Sequence, residues 1–403
     1  MISGSLSRPN SFLPVSWFLV LLILAACGRP PVTPPLIPPE IIIPADPMQA
    51  VTWDDVPGWQ QEDPRPALEA FVVSCPSLKN DAQWQTVCAD MSQIDTADMG
   101  EVRRFFESRF IPHRVNNPDG TDRGTITGYY VPDLQGSRTS NENYRYPVLG
   151  VPDDLLVVDL GALYPDLKGR RLRGRLDGRR VVPYWSRTEI DTGLASTAGK
   201  ELFWVEDPVE LFFLHIQGSG RISLENGERV MVNYADQNGH PYRSIGRMLL
   251  ESGAMTRDQM SAQNIKAWCQ RHPDKVLQLL GENPSYVFFR SAQQDLASPP
   301  GALGYPLTPE RSLAVDPSII PLGAPVFIAT TWPNSSRPLQ QLMVAQDTGG
   351  AIKGAVRADF FWGLGSEAGA KAGRMKQDGR LWVLLPRIEP AESDRHFKSG
   401  DLP

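Results

Sequence analysis

The sequence predicts a mostly β protein with a few helices, set at the front and in the middle of the chain. Apolar residues recur at helical spacing near residues 84–110 and again near 265. Most of the remainder reads as short apolar runs cut by Gly and Pro, the pattern of strands and turns. Together these two observations set the fold class.

In chain order, Arg8 precedes an apolar run over residues 12–26, too short for a comfortable membrane span and about right for a signal-peptide core. It ends in Leu24-Ala25-Ala26-Cys27-Gly28. Two small residues before a cysteine let a peptidase approach the backbone, and the thiol is where acyl chains attach. The pattern resembles the lipobox of bacterial lipoproteins. That likeness implies an acylated Cys27 and, with Gly28 next, an outer-membrane anchor facing the periplasm. The alternative is an uncleaved anchor helix with an incidental cysteine. Prolines crowd residues 30–47, as in a stiff polyproline-type spacer.

The folded part is expected from near Trp53. Trp84, Val87, Met91 and Ile94 form one helical stripe and Val102, Phe105, Phe106 and Phe110 a second, both read as core-facing. After Gly124 short strands take over. Residues 210–235 are predicted as a hairpin, with 211–216 and 230–234 flanking the Asn226-Gly227 turn signal. Thr256-Arg257-Asp258-Gln259 has capping-box form and should start a helix that contains Ile265 and Cys269. Beyond Leu303, residues 325–329, 342–345 and 381–385 are strand-like. Cys75 and Cys88 are open to pairing in an oxidising compartment, and Cys269 reads as a core residue.

At 403 residues the chain is long enough for two domains, and 41% apolar with 21% charged residues is ordinary for a globular protein. A net charge of −6 argues against a nucleic-acid partner, which wants a basic face. The five histidines are scattered and no C-x-x-C or H-E-x-x-H spacing occurs, so no metal or other cofactor is expected.

The densest cluster of chemistry-bearing residues is Gln346-Asp347-Thr348-Gly349-Gly350-Ala351-Ile352-Lys353-Gly354, followed by Asp359-Phe360-Phe361-Trp362. Glycines around a carboxylate let backbone approach a ligand or another strand closely. Three aromatics after Asp359 would desolvate its carboxyl, raise its pKa and favour the protonated, acid-competent form. Aromatic faces also suit the C–H faces of sugars. Read without further help, such a segment is more often only a Gly-rich turn.

Asp347-Thr-Gly-Gly-Ala-Ile-Lys-Gly with Asp359 twelve residues on, preceded by Asp316-Pro317 and Ile320-Pro321-Leu322-Gly323, resembles the three-aspartate (3D) module. Upstream, Thr127-Gly128-Tyr129-Tyr130, Phe213-Leu214-His215-Ile216-Gln217-Gly218-Ser219-Gly220, Tyr242-Arg243-Ser244-Ile245-Gly246 and Asn283-Pro284-Ser285-Tyr286 resemble the insert of membrane-bound lytic murein transglycosylase A. The resemblance runs from about residue 53 to 386. It implies a double-psi β-barrel with a second β domain inserted and a groove between them for a peptidoglycan glycan strand. The implied layout is signal peptide 1–26, Pro-rich tether 27–50, front part of the barrel with helices 51–132, insert 133–285, 3D segment 286–390 and tail 391–403.

The resemblance further implies that Asp359 is a single acid/base. It would protonate the leaving glycosidic oxygen, then take the proton of the muramic acid C6 hydroxyl as a 1,6-anhydro ring closes. Asp347 becomes a second, supporting carboxylate of the catalytic site and Asp316 a structural turn residue. Thr127, Gly128 and Tyr129, with Gln217, Gly218, Ser219 and Gly220, are the expected substrate-binding walls. Arg357 and Ala358 before Asp359 depart from the family, where a histidine often stands, and leave the tuning of Asp359 open. A hydrolase with Asp347 and Asp359 as a carboxylate pair is one alternative. A non-catalytic wall-binding lipoprotein is the other, and the insert motifs argue against it. Gly218-Ser219-Gly220 is not a nucleophile elbow, which disfavours a serine hydrolase. The expected partners are glycan strands and, through Cys27, outer-membrane lipid; the sequence names no division or synthesis protein.

Overall fold

The computed structural model describes residues 46–387 apart from 169, 171 and 292–296. The Cys27 lipobox, nearly all of the Pro-rich tether and the tail lie outside the described residues.

The chain enters through β1 (Met48–Ala50) and the helices α1 (Arg65–Ser74), α2 (Ala82–Asp90) and α3 (Met99–Arg109), then β2 (Phe110–Val115) and β3 (Gly124–Val131). Asp81 caps α2 and Asp98 caps α3, each carboxylate accepting from two backbone N–H groups of the first turn. Their apolar stripes are buried as expected, with Phe106 and Phe110 at 0% exposure. The disulfide Cys75–Cys88 joins the end of α1 to α2.

The middle of the chain forms β4 (Asp133–Ser137), β5 (Tyr146–Leu149), β6 (Leu156–Val157), β7 (Arg173–Asp177), β8 (Arg180–Pro183), α4 (Arg187–Asp191), β9 (Glu201–Val205) and α5 (Pro208–Gln217). It continues with β10 (Ser219–Leu224), β11 (Arg229–Gln237), α6 (Ile245–Glu251), α7 (Ala262–Arg271), α8 (Val276–Gly281) and β12 (Val287–Ser291). The last stretch holds β13 (Ser312–Val315), β14 (Pro325–Thr331), β15 (Pro338–Asp347), β16 (Arg357–Leu364), α9 (Gly365–Ala372) and β17 (Lys376–Pro386).

Strand pairing closes the first and last segments into a ring. The order β17-β14-β15-β13-β16-β3 returns to β17, because the first half of β17 pairs with β3 and its second half with β14. Closure removes the open edges that a six-stranded sheet would otherwise present. Val326, Phe327, Ile328, Leu342, Val344, Ala358, Phe360 and Trp382 of the strands form one buried core with Phe71 of α1 and Phe106 of α3. This is the barrel that the resemblance to the 3D module implies.

A second sheet, ordered β12-β11-β10-β4-β9-β5, follows directly on β3, since Pro132 alone separates Val131 from Asp133. It runs to Ser291, past the boundary expected at 285. A small sheet, β6-β7-β8, is tied to it by Arg173 Nε on Asp236 Oδ1 at 2.9 Å.

Two sequence expectations are corrected here. Residues 211–216 are helix, not strand, and the hairpin partner of β11 across Asn226-Gly227 is β10. Asp207 caps α5, Pro208 occupies its first turn, and Gly218 ends it at φ +77°. The helix is apolar all round because it is covered on two sides. Leu211 and Leu214 pack on the sheet, while Phe212 and Phe213 pack on α6, α7 and α8. The second correction concerns α7, which starts at Ala262 under Ser261, whose Oγ accepts from Asn264 N at 3.1 Å. Thr256 N does donate to Gln259 Oε1 at 3.2 Å, but that bond closes a turn. Cys269 is buried in the helical layer, as expected.

Candidate active site

Barrel closure brings residues from opposite ends of the sequence into one register. β16 pairs in parallel with β3, setting Asp359 against Thr127 and Phe361 against Tyr129. On its other side β16 pairs with β13, where Ala314 faces Asp359, and Ala314 is also the partner of Asp347 across β15. The two carboxylates therefore rise on either side of one strand. Alternation along β16 sends Ala358 and Phe360 into the barrel, at 0% and 1% exposure, and leaves Asp359 half-buried on the outer face.

Asp359 Oδ1 accepts from the Thr127 hydroxyl at 2.6 Å, and Thr127 Oγ1 in turn accepts from Arg357 Nη2 at 2.8 Å. Arg357 thus orients the hydroxyl that holds the carboxyl. Burial pushes the Asp359 carboxyl above the usual carboxylate range; the Thr127 donor and the Arg357 charge oppose this without reversing it. Burial likewise raises Asp347, to about 6, although it accepts from Thr348 N at 2.9 Å and Tyr129 Oη at 2.9 Å. The neighbouring Asp359 charge pushes in the same upward direction. Tyr129 is held far above a normal phenol by burial and by the Asp347 carboxylate.

Asp316 is the turn residue expected of it. Its carboxylate accepts from Ser318 N, Ser318 Oγ and, at 2.9 Å, from Gly354 N, fixing the end of the glycine loop. Burial would raise its pKa, but these donors outweigh that and hold it below the usual range.

Phe360, Phe361 and Trp362 are 1%, 0% and 3% exposed, so none offers a face for a sugar; Phe360 and Trp362 lie on the opposite side of β16 from Asp359, and Phe361 alone shares its side. Phe361 packs on Tyr129 at 5.1 Å between centroids, in a cluster with Val131, Leu307 and Met231 of β11. That cluster joins the barrel to the second sheet. A second link is Gln217 Oε1, which accepts from Tyr130 N at 3.1 Å. The acceptor of Gln217 is thus occupied by backbone, and its neighbour Ser219 is half-buried at the start of β10. Gly128 admits Trp362: a Cβ there would lie 2.6 Å from the indole Nε1. Gly220 admits Leu214 in the same way, at 2.3 Å from Cδ1.

Among the described residues no three His, Cys, Asp or Glu side chains gather as a metal site. A hollow of about 510 Å³ lined by His240, Arg243 and Glu282 includes none of the three aspartates. The Arg357–Thr127 bond joins residues 230 apart and has no local sequence signal, whereas Asn233 falls in the strand predicted over 230–234, where the sequence assigns it no role.

Comparison with known proteins agrees with this architecture. Residues 125–290 match the MltA specific insert domain and residues 311–385 the 3D domain. Membrane-bound lytic murein transglycosylase A of Escherichia coli is 33% identical over 292 residues, 71% of this chain and 72% of that protein. The crystal structure of MltA from Neisseria gonorrhoeae is 42% identical, covers 84% of this chain and 92% of its own, and superposes with a TM-score of 0.72. Escherichia coli MltA with bound chitohexaose is 28% identical, covers 85% and 95%, and has a TM-score of 0.64. With the insert and 3D matches in this order and a relative 33% identical over 72% of its length, the chain belongs to the membrane-bound lytic murein transglycosylase A family.

Proposed function

We propose that this chain is a lytic transglycosylase that cuts the β-1,4 bond between MurNAc and GlcNAc in peptidoglycan and leaves 1,6-anhydromuramic acid ends, with Asp359 as its acid/base. The observation that carries the reading is the state of Asp359: a half-buried carboxyl raised above the carboxylate range and aimed by the Thr127 hydroxyl at 2.6 Å. Such a shift favours the protonated form, the one that can give a proton. Asp359 protonates the glycosidic oxygen as the C1–O bond breaks. Its carboxylate, steadied by Thr127 and Arg357, then takes the C6 hydroxyl proton as the C6 oxygen bonds to C1. The C6 hydroxyl is already on the substrate, so its attack gains from proximity and needs no activated water. Asp347, held by Tyr129 and Thr348, offers negative charge where the anomeric carbon becomes positive. Thr127, Tyr129 and the 217–220 segment form the walls of the groove.

Asp359→Asn keeps the shape and removes the transferable proton. Release of anhydro-muropeptides from purified sacculi should fall by at least a hundred- to ten-thousandfold, with retention on insoluble peptidoglycan unchanged. Near-normal release would refute the assignment. Reducing ends in place of anhydro ends would favour the two-carboxylate hydrolase.

The membrane association in the relatives' names fits a lipid anchor. No described helix is long and apolar enough to cross a membrane. The anchor is assigned to acylated Cys27, placing the enzyme on the periplasmic side of the outer membrane. Cys27→Ala should release or mislocalise the protein; continued outer-membrane fractionation would exclude that anchor.

A further inference from the structure

Asn233 sits in β11 at 5% exposure, and its Oδ1 has no hydrogen-bond partner. A buried amide oxygen left unbonded lowers stability, and such groups in native proteins call for an explanation. Its direction follows from the strands around it. Gly220 faces Leu214 of α5, and Ile222 and Val232 share a core with Leu214. Alternation then sends Ser219, Met231 and Asn233 to the opposite face. Met231 marks where that face points, since it packs with Val131 and Phe361 of the barrel. Asn233 is the direct cross-strand partner of Ser219, two residues from the Gln217 that docks on Tyr130. It therefore stands in the wall that faces the barrel.

We infer that Asn233 is a substrate-binding residue that, with Ser219, recognises an acetamido group of the glycan; the inference rests on the glycan reading above. A trans amide points its N–H and C=O apart, so it is met by an acceptor and a donor on two neighbouring residues. Asn233 Oδ1 is the free acceptor, and the Ser219 hydroxyl on the adjacent strand is the donor. Side chains of such a directly opposed pair stand about 5 Å apart at Cβ, a span that brackets one amide. Gln217, whose acceptor already serves Tyr130 N, does not supply this pair.

The test uses the full chain in detergent, with Asn233→Leu, which keeps the bulk and drops both polar atoms. Binding is measured by calorimetry for a hexamer of β-1,4-linked N-acetylglucosamine and for its N-deacetylated counterpart. The variant should keep or raise its unfolding midpoint and lose about tenfold in affinity for the acetylated hexamer, the value of one hydrogen bond. Its affinity for the deacetylated hexamer should change less than twofold. On sacculi KM should rise with kcat unchanged. Asn233→Ala should repeat the selectivity if the leucine variant fails to fold. Unchanged affinity for the acetylated hexamer overturns the contact, and equal losses on both ligands overturn the acetamido assignment. Because the binding measurement needs no turnover, a wild type that releases no anhydro ends would refute the reaction and leave this inference standing.

Discussion

Replacing Tyr129 by Phe removes one hydroxyl, the donor that reaches Asp347 Oδ2 at 2.9 Å, and leaves the ring against Phe361. A hydrogen bond to a charged group contributes about 1.5–3 kcal/mol, and about 1.36 kcal/mol corresponds to one pKa unit. The hydroxyl favours the carboxylate, so its loss raises Asp347 from about 6 by roughly one to two units. If Asp347 works as a carboxylate, the acid limb of kcat/KM for anhydro-end release lies near pH 6 and moves up with it. The variant should lose about ten- to a hundredfold near pH 5 and approach the wild type as pH rises towards 8. The limbs belong to the Asp347–Asp359 pair, so the profile is compared as a whole. A pH-rate series on solubilised glycan strands measures it. A loss that is the same factor at every pH would show that Tyr129 only packs or binds, and would remove Asp347 from the reaction.

Other outcomes follow from the fold that carries the site. Glu62, 8% exposed, is pushed up to about 7 from the usual 4.5 by burial, against the Leu342 amide and Arg311. A folded-state pKa above the unfolded one contributes stability below pH 4.5 that is lost as pH rises through 7, so Glu62→Gln should gain about 3 kcal/mol at pH 8.5 and nothing at pH 4 in urea unfolding. Gly128→Ala would place a methyl 3.0 Å from Ala372 Cα as well as against Trp362, and should cost about 1–3 kcal/mol by thermal melting. Reducing Cys75–Cys88, whose cysteines are 13 residues apart, should lower stability by about 3 kcal/mol, with Cys75→Ser showing no further loss under reductant.

The candidate site was legible where chemistry and punctuation coincide. Asp347 with its glycines, Asp359 before its aromatics and Asp316 before a proline all stand where their local sequence put them. What local sequence does not carry is the non-local half of each interaction. The aromatics of residues 360–362 were read as a sugar platform, but alternation buries two inside the barrel and the third under the second sheet. Residues 211–216 were read as a strand because a short apolar run fits a buried strand and a doubly covered helix equally well. The cap at Asp207-Pro208 and the stop at Gly218 were the signals that separate them. Glu62 gave no signal at all, since its burial comes from β15, some 280 residues away.

The register between β3 and β16 explains why the barrel and the site cannot be varied independently. Asp359 meets Thr127 because Ala358 and Phe360, on either side of it, are interior residues. A slip of one residue would turn Ala358, Phe360 and Trp362 out of the core together and carry Asp359 into it, at a prohibitive desolvation cost. Hydrophobic packing inside the barrel therefore specifies the contact outside it. The same pairing brings Arg357 over Thr127, so this arginine acts through a hydroxyl whose position the core has already set. A histidine at position 357 would present a shorter donor that titrates near neutral pH, whereas arginine remains charged throughout. In this chain the Arg357 charge that bears on Asp359 through Thr127 is consequently present at every pH at which the barrel is folded.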